Sequence, residues 1–227
     1  RATLDGLLSG AELLVVADSL EVQRRVRAGI LKARQFAPVL VSIAERIPEL
    51  DELRARIRSR IGDRGDVVDD ATSTLRALRV QGRGAYERLT DELTGIIRSS
   101  LGREVLQDEV VSVRGDRLVL QVKAEMRHRM PGIVHDASNT GATLFIEPFS
   151  AVDLGNAWRE LALEEEREAA KVLRDLSAMV GVVAEDINRG VQLTARLDLI
   201  LARARYSRRL GGVAALSTCP SAPGPPG

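Results

Sequence analysis

Glu109-Val110-Val111-Ser112-Val113-Arg114-Gly115-Asp116-Arg117-Leu118-Val119-Leu120-Gln121-Val122 opens the one part of the sequence with strand character, and its reading decides the fold. Val110–Val113 and Leu118–Val122 are β-branched and aliphatic runs, and Arg114-Gly115-Asp116-Arg117 between them is turn chemistry, so the pair predicts a hairpin. A second pair follows, Gly132–Asp136 and Ala142–Ile146. It is joined by Ala137-Ser138-Asn139-Thr140-Gly141, where Ser and Asn can cap and Gly can adopt a positive φ. Residues 109–148 are therefore expected to build a small antiparallel β unit.

Outward from that unit the spacing is helical in both directions. Before it, Val68, Ala71, Leu75, Leu78, Gly82, Ala85, Leu89, Leu93 and Ile96 recur at steps of three and four, which predicts one ascending amphipathic helix over 67–108. After it, Pro148 stands at a helix start, and Leu154, Trp158, Leu161, Leu176, Met179, Val183, Ile187, Val191, Leu197 and Leu201 predict a descending helix over 149–210. Gly181 and Gly190 are places where that helix can bend. A helix of some thirty residues is about 50 Å long and needs a partner of similar length. The economical arrangement is an antiparallel pair with the β unit at its end, in which Leu75, Leu89, Leu93, Trp158, Leu161 and Leu176 face one another.

Residues 1–66 read as a helical core segment. Ser9-Gly10-Ala11-Glu12 is a capping box that starts a helix near Gly10. Pro38 opens a second, shorter helix that Pro48 closes, and Leu50, Leu53, Ile57 and Ile61 give a third that Gly62 stops. Residues 211–227, rich in Pro and Gly, have no period and are expected to be disordered. The fold class is mainly α with a small β insertion.

Composition supports that class and narrows the chemistry. The 227 residues are 44% hydrophobic but only 3% aromatic, with 29% charged, a vocabulary of long helices. With 33 basic and 32 acidic side chains, any basic surface must come from local segregation. The single cysteine, Cys219, excludes a disulfide framework and a cysteine metal site and fits a reducing compartment, so a cytoplasmic location is expected. No apolar run approaches the ~18 residues of a membrane span, and the start at Arg1 is read as that of a piece of a longer chain.

Catalytic readings are poorly supplied. His128 and His135 are the only histidines, too few for a zinc site without further ligands at helical or hairpin spacing. His135, Asp136 and Ser138 do not make a triad, because neighbours on a strand point to opposite faces; they are expected to hydrogen-bond around the second turn. Glu164, Glu165, Glu166 and Glu168 read as a solvated helix face, paired with Arg167 and Lys171, rather than as metal ligands. Arg114-Gly115-Asp116, although it spells an adhesion tripeptide, reads as a hairpin turn. Phe145 and Phe149 read as packing at the strand–helix joint. No catalytic, metal or cofactor residue is assigned, and the chain by itself is not expected to be an enzyme. The candidate binding set is Arg114, Arg117, Lys123, Arg127 and Arg129, with His128 beside them: cations on a hairpin suit sequence-independent contacts with phosphates.

The string Val113-Arg114-x-Asp116-Arg117-x-Val119-x-x-Val122-Lys123-x-Glu125, followed by Gly132-Ile133-Val134-His135-Asp136-x-Ser138-x-x-Gly141-Ala142-Thr143-Leu144-Phe145-Ile146-Glu147-Pro148, resembles the clamp region of the second bacterial subfamily of MutS proteins. The resemblance extends through Asp66–Ala71, Ser73, Leu75 and Arg76 and through Ala202–Tyr206, covering roughly residues 3 to 210. It implies that the ascending and descending helices are a lever and the β unit a clamp. It further implies a nucleic-acid-binding homodimer that, with ATP and Mg bound by an ATPase domain, acts as an endonuclease and suppressor of recombination on mismatched or branched DNA. Members of the family are also regarded as splitting collided ribosomes. The sequence holds no Gly-x-x-x-x-Gly-Lys-Ser/Thr phosphate loop. Two readings stand: a clamp that grips nucleic acid, with the five cations on one exposed face, or a coiled-coil module whose tip contacts ribosomal protein or RNA, with scattered charge and an exposed apolar patch.

Overall fold

The computed structural model describes residues 6–212. Its helices are α1 (Gly10–Leu31), α2 (Pro38–Ala44), α3 (Asp51–Arg60), α4 (Ser73–Arg98), α5 (Ser100–Val105), α6 (Phe149–Val182) and α7 (Ala184–Arg209). Between α5 and α6 lie β1 (Leu106–Arg114), β2 (Arg117–Lys123), β3 (Gly132–Ala137) and β4 (Thr143–Pro148). The chain divides into two compact units. One takes in the residues up to Leu14 with Arg56–Met179, the other Val15–Ala55 with the residues from Val180 on.

In the first unit the capping box forms as expected: the Ser9 N–H donates to Glu12 Oε2 at 2.9 Å and the Glu12 N–H to Ser9 Oγ at 3.3 Å. Its start is close to the turn after α3, where a Cβ on Gly10 would lie 1.9 Å from the Gly65 carbonyl oxygen. Gly65 itself has φ +84°, so glycine is required on both sides of this approach.

The ascending helix begins later than the spacing suggested. Val67 pairs with Ile61 in an isolated bridge and Asp69–Ala71 form a 3₁₀ turn, before Thr72 caps α4 by accepting the Leu75 N–H at 3.0 Å. Ala71 is buried, which explains why the apolar period ran on through a non-helical segment. At the other end Ser99 ends α4 and caps α5 by accepting the Gly102 N–H at 3.0 Å. A Cβ on Gly102 would meet the Ile96 carbonyl oxygen at 2.2 Å, so this elbow also depends on glycine. The descending pattern, expected as one helix to residue 210, is two: α6 stops at Val182 and Val183 leaves helical geometry with φ −110° and ψ 17°. Gly181 and the β-branched Val180, Val182 and Val183 make this a weak stretch of helix.

The sheet is antiparallel throughout, in the order β1-β2-β4-β3, so β2 and β4 join the two hairpins into one surface. β1 starts at Leu106, three residues before the expected strand region. Its first half pairs irregularly, with register shifts between Leu106 and Val111, and so lacks the alternation that marks a strand. One face of the sheet buries Leu118, Leu120, Val122 and Ile146 against Leu89, Leu93, Ile97, Val105 and Ala151. α4 and α6 run antiparallel: Thr72 meets Glu168, Arg79 meets Glu165, and Tyr86 meets Trp158. Leu75, Leu89, Leu93 and Leu176 are fully buried, whereas Trp158 and Leu161 are half-buried.

In the second unit Ile43, Ala44, Ile47, Leu193 and Leu197 form a core, flanked by Val26, Ile30, Leu40 and Ile200. α2 carries Pro38 at its start, as expected. The tail assigned to residues 211–227 falls, from 213 on, outside the described residues. No helix among the described residues is long and apolar enough to cross a membrane.

Candidate nucleic-acid interface

The β1–β2 connection is a two-residue turn with positive φ at both Gly115 (54°) and Asp116 (62°), the mirror-image turn whose twist suits a hairpin. Arg114 and Arg117 flank it as cross-strand partners, on the face of the sheet opposite the apolar core. There the Arg114 guanidinium stacks 3.8 Å over the Phe145 ring, and its Nε donates to Asp136 Oδ2 at 3.2 Å. Arg117 Nη1 donates to Glu147 Oε1 at 3.2 Å, and His135 Nε2 lies 2.7 Å from Glu147 Oε2. The Glu147 side chain is 3% exposed, so both oxygens of a buried carboxylate are satisfied by basic side chains. α6 covers this pair through Gly155, where a Cβ would lie 2.9 Å from Glu147 Oε1. Arg159 of α6 reaches Asp116 at 2.7 Å. The first hairpin turn is thus tied to α6 by this ion pair, while Gly115 and Asp116 stay exposed.

Lys123, Arg127 and Arg129 lie at the other end of β2. Its six residue steps make that separation roughly 20 Å. Lys123 Nζ donates to the Glu104 carbonyl at 3.1 Å, and Arg129 pairs with the Glu104 carboxylate. Arg127 donates to the carbonyls of Met130 (2.9 Å) and Gly132 (2.8 Å) and braces the entry to β3. The five cations therefore form two groups at opposite ends of a strand, not the single basic face the hairpin reading required, and each has an internal partner. Arg114 and Arg129 retain 40% of their side-chain surface and unused N–H groups, so these two can still take a phosphate.

Neighbouring expectations change as well. Ser138 does shape the second turn, accepting the Thr143 N–H at 3.1 Å, and Asp136 accepts the next N–H, of Ala137, at 2.8 Å. His135, in contrast, belongs to the Glu147 cluster. Phe145 is buried beneath Arg114, but Phe149, expected to pack, is 62% exposed. Glu164 and Glu166 are exposed and Lys171 lies 3.8 Å from Glu168, as a solvated face requires, but Glu165 and Glu168 do not belong to that face alone. They turn toward α4, where Glu165 accepts from Arg79 at 2.8 Å and Glu168 from Thr72 Oγ1 at 2.9 Å. Arg79 also pairs with Asp69. Burial pulls the Arg79 pKa down, and the bonds from Glu165 and Asp69 outweigh it, so the guanidinium is held above its ordinary value.

Two features escaped the spacing argument. Glu147 is the hub of the outer sheet face, and the signal for it was a carboxylate inside the apolar run Leu144-Phe145-Ile146 before Pro148. The Tyr86–Trp158 pair, with ring centroids 5.4 Å apart, had no local signal, since it depends on the register of two helices. Among the described residues no three His, Cys, Asp or Glu side chains are grouped to hold a metal ion.

The chain is similar to Endonuclease MutS2 of Geobacillus thermodenitrificans, with 41% identity over 213 residues, 92% of its length. It is 38% identical over 214 residues (92%) to Endonuclease MutS2 of Halalkalibacterium halodurans, and 34% identical over 216 residues (94%) to that of Clostridioides difficile. It spans about 27% of the length of each of these curated relatives. No protein-family model matches the chain.

Proposed function

We propose, from the premise that the chain belongs to the MutS2 family over this stretch, that it holds nucleic acid by its phosphate backbone as the clamp and lever segment of a MutS-like protein. The observation that carries the reading is the identity itself, sustained over nine-tenths of the chain and so through helices and sheet alike. The relatives are named endonucleases, which act on a phosphodiester backbone, and half-exposed guanidiniums such as Arg114 and Arg129 recognise phosphates without reading bases. In the whole protein the segment would serve a homodimer acting in DNA repair and suppression of recombination on mismatched or branched DNA, with ATP and Mg bound outside these residues. Its contribution is grip: α4 and α6 are locked side by side, and the sheet is fastened to α6 at Glu147 and Asp116.

The test is fluorescence anisotropy of a labelled duplex and of a four-way junction, titrated with the full 227-residue chain at several salt concentrations. Backbone binding predicts dissociation constants of about 10⁻⁴–10⁻⁶ M that weaken as salt rises from about 50 to 200 mM. Absence of binding at the low-salt end would refute it.

A further inference from the structure

We infer that the groove between α4 and α6 at Gly82 and Ala162 takes one unstacked nucleotide: its base lies against Tyr86 and Trp158, its phosphate on Arg83, and an amino group on the base edge donates to Glu87. The inference rests on the nucleic-acid reading above and names the form of ligand this stretch of the helix pair would take, one that mismatched or branched DNA supplies.

The first observation is a gap in the helix pair. Antiparallel order sets Arg79 against Glu165 at 2.8 Å and the Tyr86 ring against that of Trp158, so Gly82 and Ala162 come to the same level between them. Two small residues at one level leave a cavity of about 550 Å³, midway along the pair and inside one compact unit. That size is in the range of small-molecule sites. Packing does not ask for the glycine. Position 82 belongs to the stripe Leu75, Leu78, Gly82, Ala85 and Leu89, and a Cβ there would meet nothing within 4 Å, so a larger side chain could close the gap. Glycine in a helix interior is also the costliest choice short of proline.

The second observation is what walls the gap. The chain has one Trp and two Tyr among 227 residues, and Trp158 and one of the tyrosines stand together here. Their rings are tilted by 54° and both line the cavity, Tyr86 with 43% of its surface exposed. A clasp between two helices explains the contact of the rings but not the space left beside it. Flat aromatic faces beside an open gap suit a nucleobase, since every base has a π-face.

The third observation is charge, which chooses among flat ligands. Arg79 is spent on Glu165 and Asp69. Arg83, 60% exposed, is 3.8 Å from Asp69, a surface pair of little worth. Glu87, one turn further along α4, is exposed and has no ion-pair partner among the described residues. A cation over the rings would use Glu87 and be opposed by Arg83, and a plain anion would use Arg83 and be opposed by Glu87. A nucleotide uses both: a phosphate meets the guanidinium fork, and the amino group of cytosine, adenine or guanine meets the carboxylate.

The experiment follows the fluorescence of Trp158, the only tryptophan, while the full chain is titrated with single-stranded oligo-dC, oligo-dT and deoxycytidine monophosphate, alongside duplex binding by anisotropy. Stacking predicts quenching by oligo-dC. Cytosine, whose N4 donates where thymine offers only an acceptor, should bind about tenfold tighter than thymine. Glu87→Ala should erase that preference, Arg83→Ala should flatten the salt slope by about 0.7, one single-strand contact, and Tyr86→Ala should weaken binding by about 5- to 100-fold. Gly82→Leu fills the gap with a strong helix former, so it should abolish quenching with a urea midpoint no lower than that of the wild type. Tighter binding of the oligonucleotide than of the monophosphate assigns the groove to a strand, and equal binding assigns it to a free nucleotide. Quenching unchanged in Gly82→Leu, or no quenching by oligo-dC while duplex still binds, would overturn the inference and leave the nucleic-acid reading standing. Quenching by oligo-arginine in place of oligo-dC would overturn it in favour of a basic protein segment. Quenching by the monophosphate without duplex binding would sustain the groove and refute the backbone reading.

Discussion

Replacing Gly155 by Ala reads out the Glu147 cluster directly, because the sign of its effect depends on a neighbour. In an ordinary helix interior the change stabilises by about 0.8–1 kcal/mol. Here the new Cβ would sit 2.9 Å from Glu147 Oε1 and 3.3 Å from Arg117 Nη1. A free glutamate would swing aside at little cost, but this carboxylate is 3% exposed and pinned by Arg117 and His135. Moving it weakens one or both of two charge-assisted bonds, each worth about 1.5–3 kcal/mol. The net expectation is a destabilisation of about 0.5–2 kcal/mol. Glu147→Ala alone should cost about 3 kcal/mol, the lower end for breaking a buried pair, since Arg117 and His135 each keep 25% of their surface in water. In the Glu147→Ala background the obstacle has gone, and Gly155→Ala should turn stabilising by up to about 1 kcal/mol. Urea unfolding followed by Trp158, the one tryptophan, reports on this unit, because Trp158 packs against the core beneath the sheet. A Gly155→Ala change that stabilises the wild type, or that costs the same in both backgrounds, would refute the pinned-carboxylate account.

Leu89→Ala, at a site 1% exposed, should lower stability by about 2–5 kcal/mol, and Leu161→Ala by clearly less because that side chain is half-buried; the two urea midpoints check the ordering. Arg127→Ala should cost about 1–3 kcal/mol by leaving the Met130 and Gly132 carbonyls short of a donor, and hydrogen exchange should show the loss concentrated at β3. Glu21 is held below its ordinary carboxyl value of 4.5, chiefly by the hydrogen bond from Arg24. Its stabilising contribution is therefore present above about pH 4.5 and lost as pH falls through the depressed value, so the deficit of Glu21→Gln at pH 7 should shrink in acid melts.

Much of this architecture was legible because its physics is local. The Ser9/Glu12 box, Pro38, the Gly115-Asp116 turn and the switch between three-four spacing and strand runs each act within a few residues. What failed depended on a partner elsewhere in the chain. Ala71 kept the apolar period while Thr72 capped the helix one residue later. Leu106–Asp108 concealed the start of a strand because the pairing there is irregular. At Val183 the side-chain stripe continued while the backbone broke, since periodicity reports burial and not hydrogen bonding.

The interface shows the same limit in charge. Counting cations near a hairpin selected Arg114, Arg117, Lys123, Arg127 and Arg129, but a count cannot distinguish a guanidinium that holds Glu147 or a carbonyl from one that is free. That difference decides what a cation can do: a paired arginine must lose its internal partner before it can grip a phosphate with full strength. The visible cue was the carboxylates: the β unit intersperses Glu109, Asp116, Glu125, Asp136 and Glu147 among its cations. A stretch with acids at hand folds its arginines into itself, so a count of cations overstates what that stretch can offer to a phosphate.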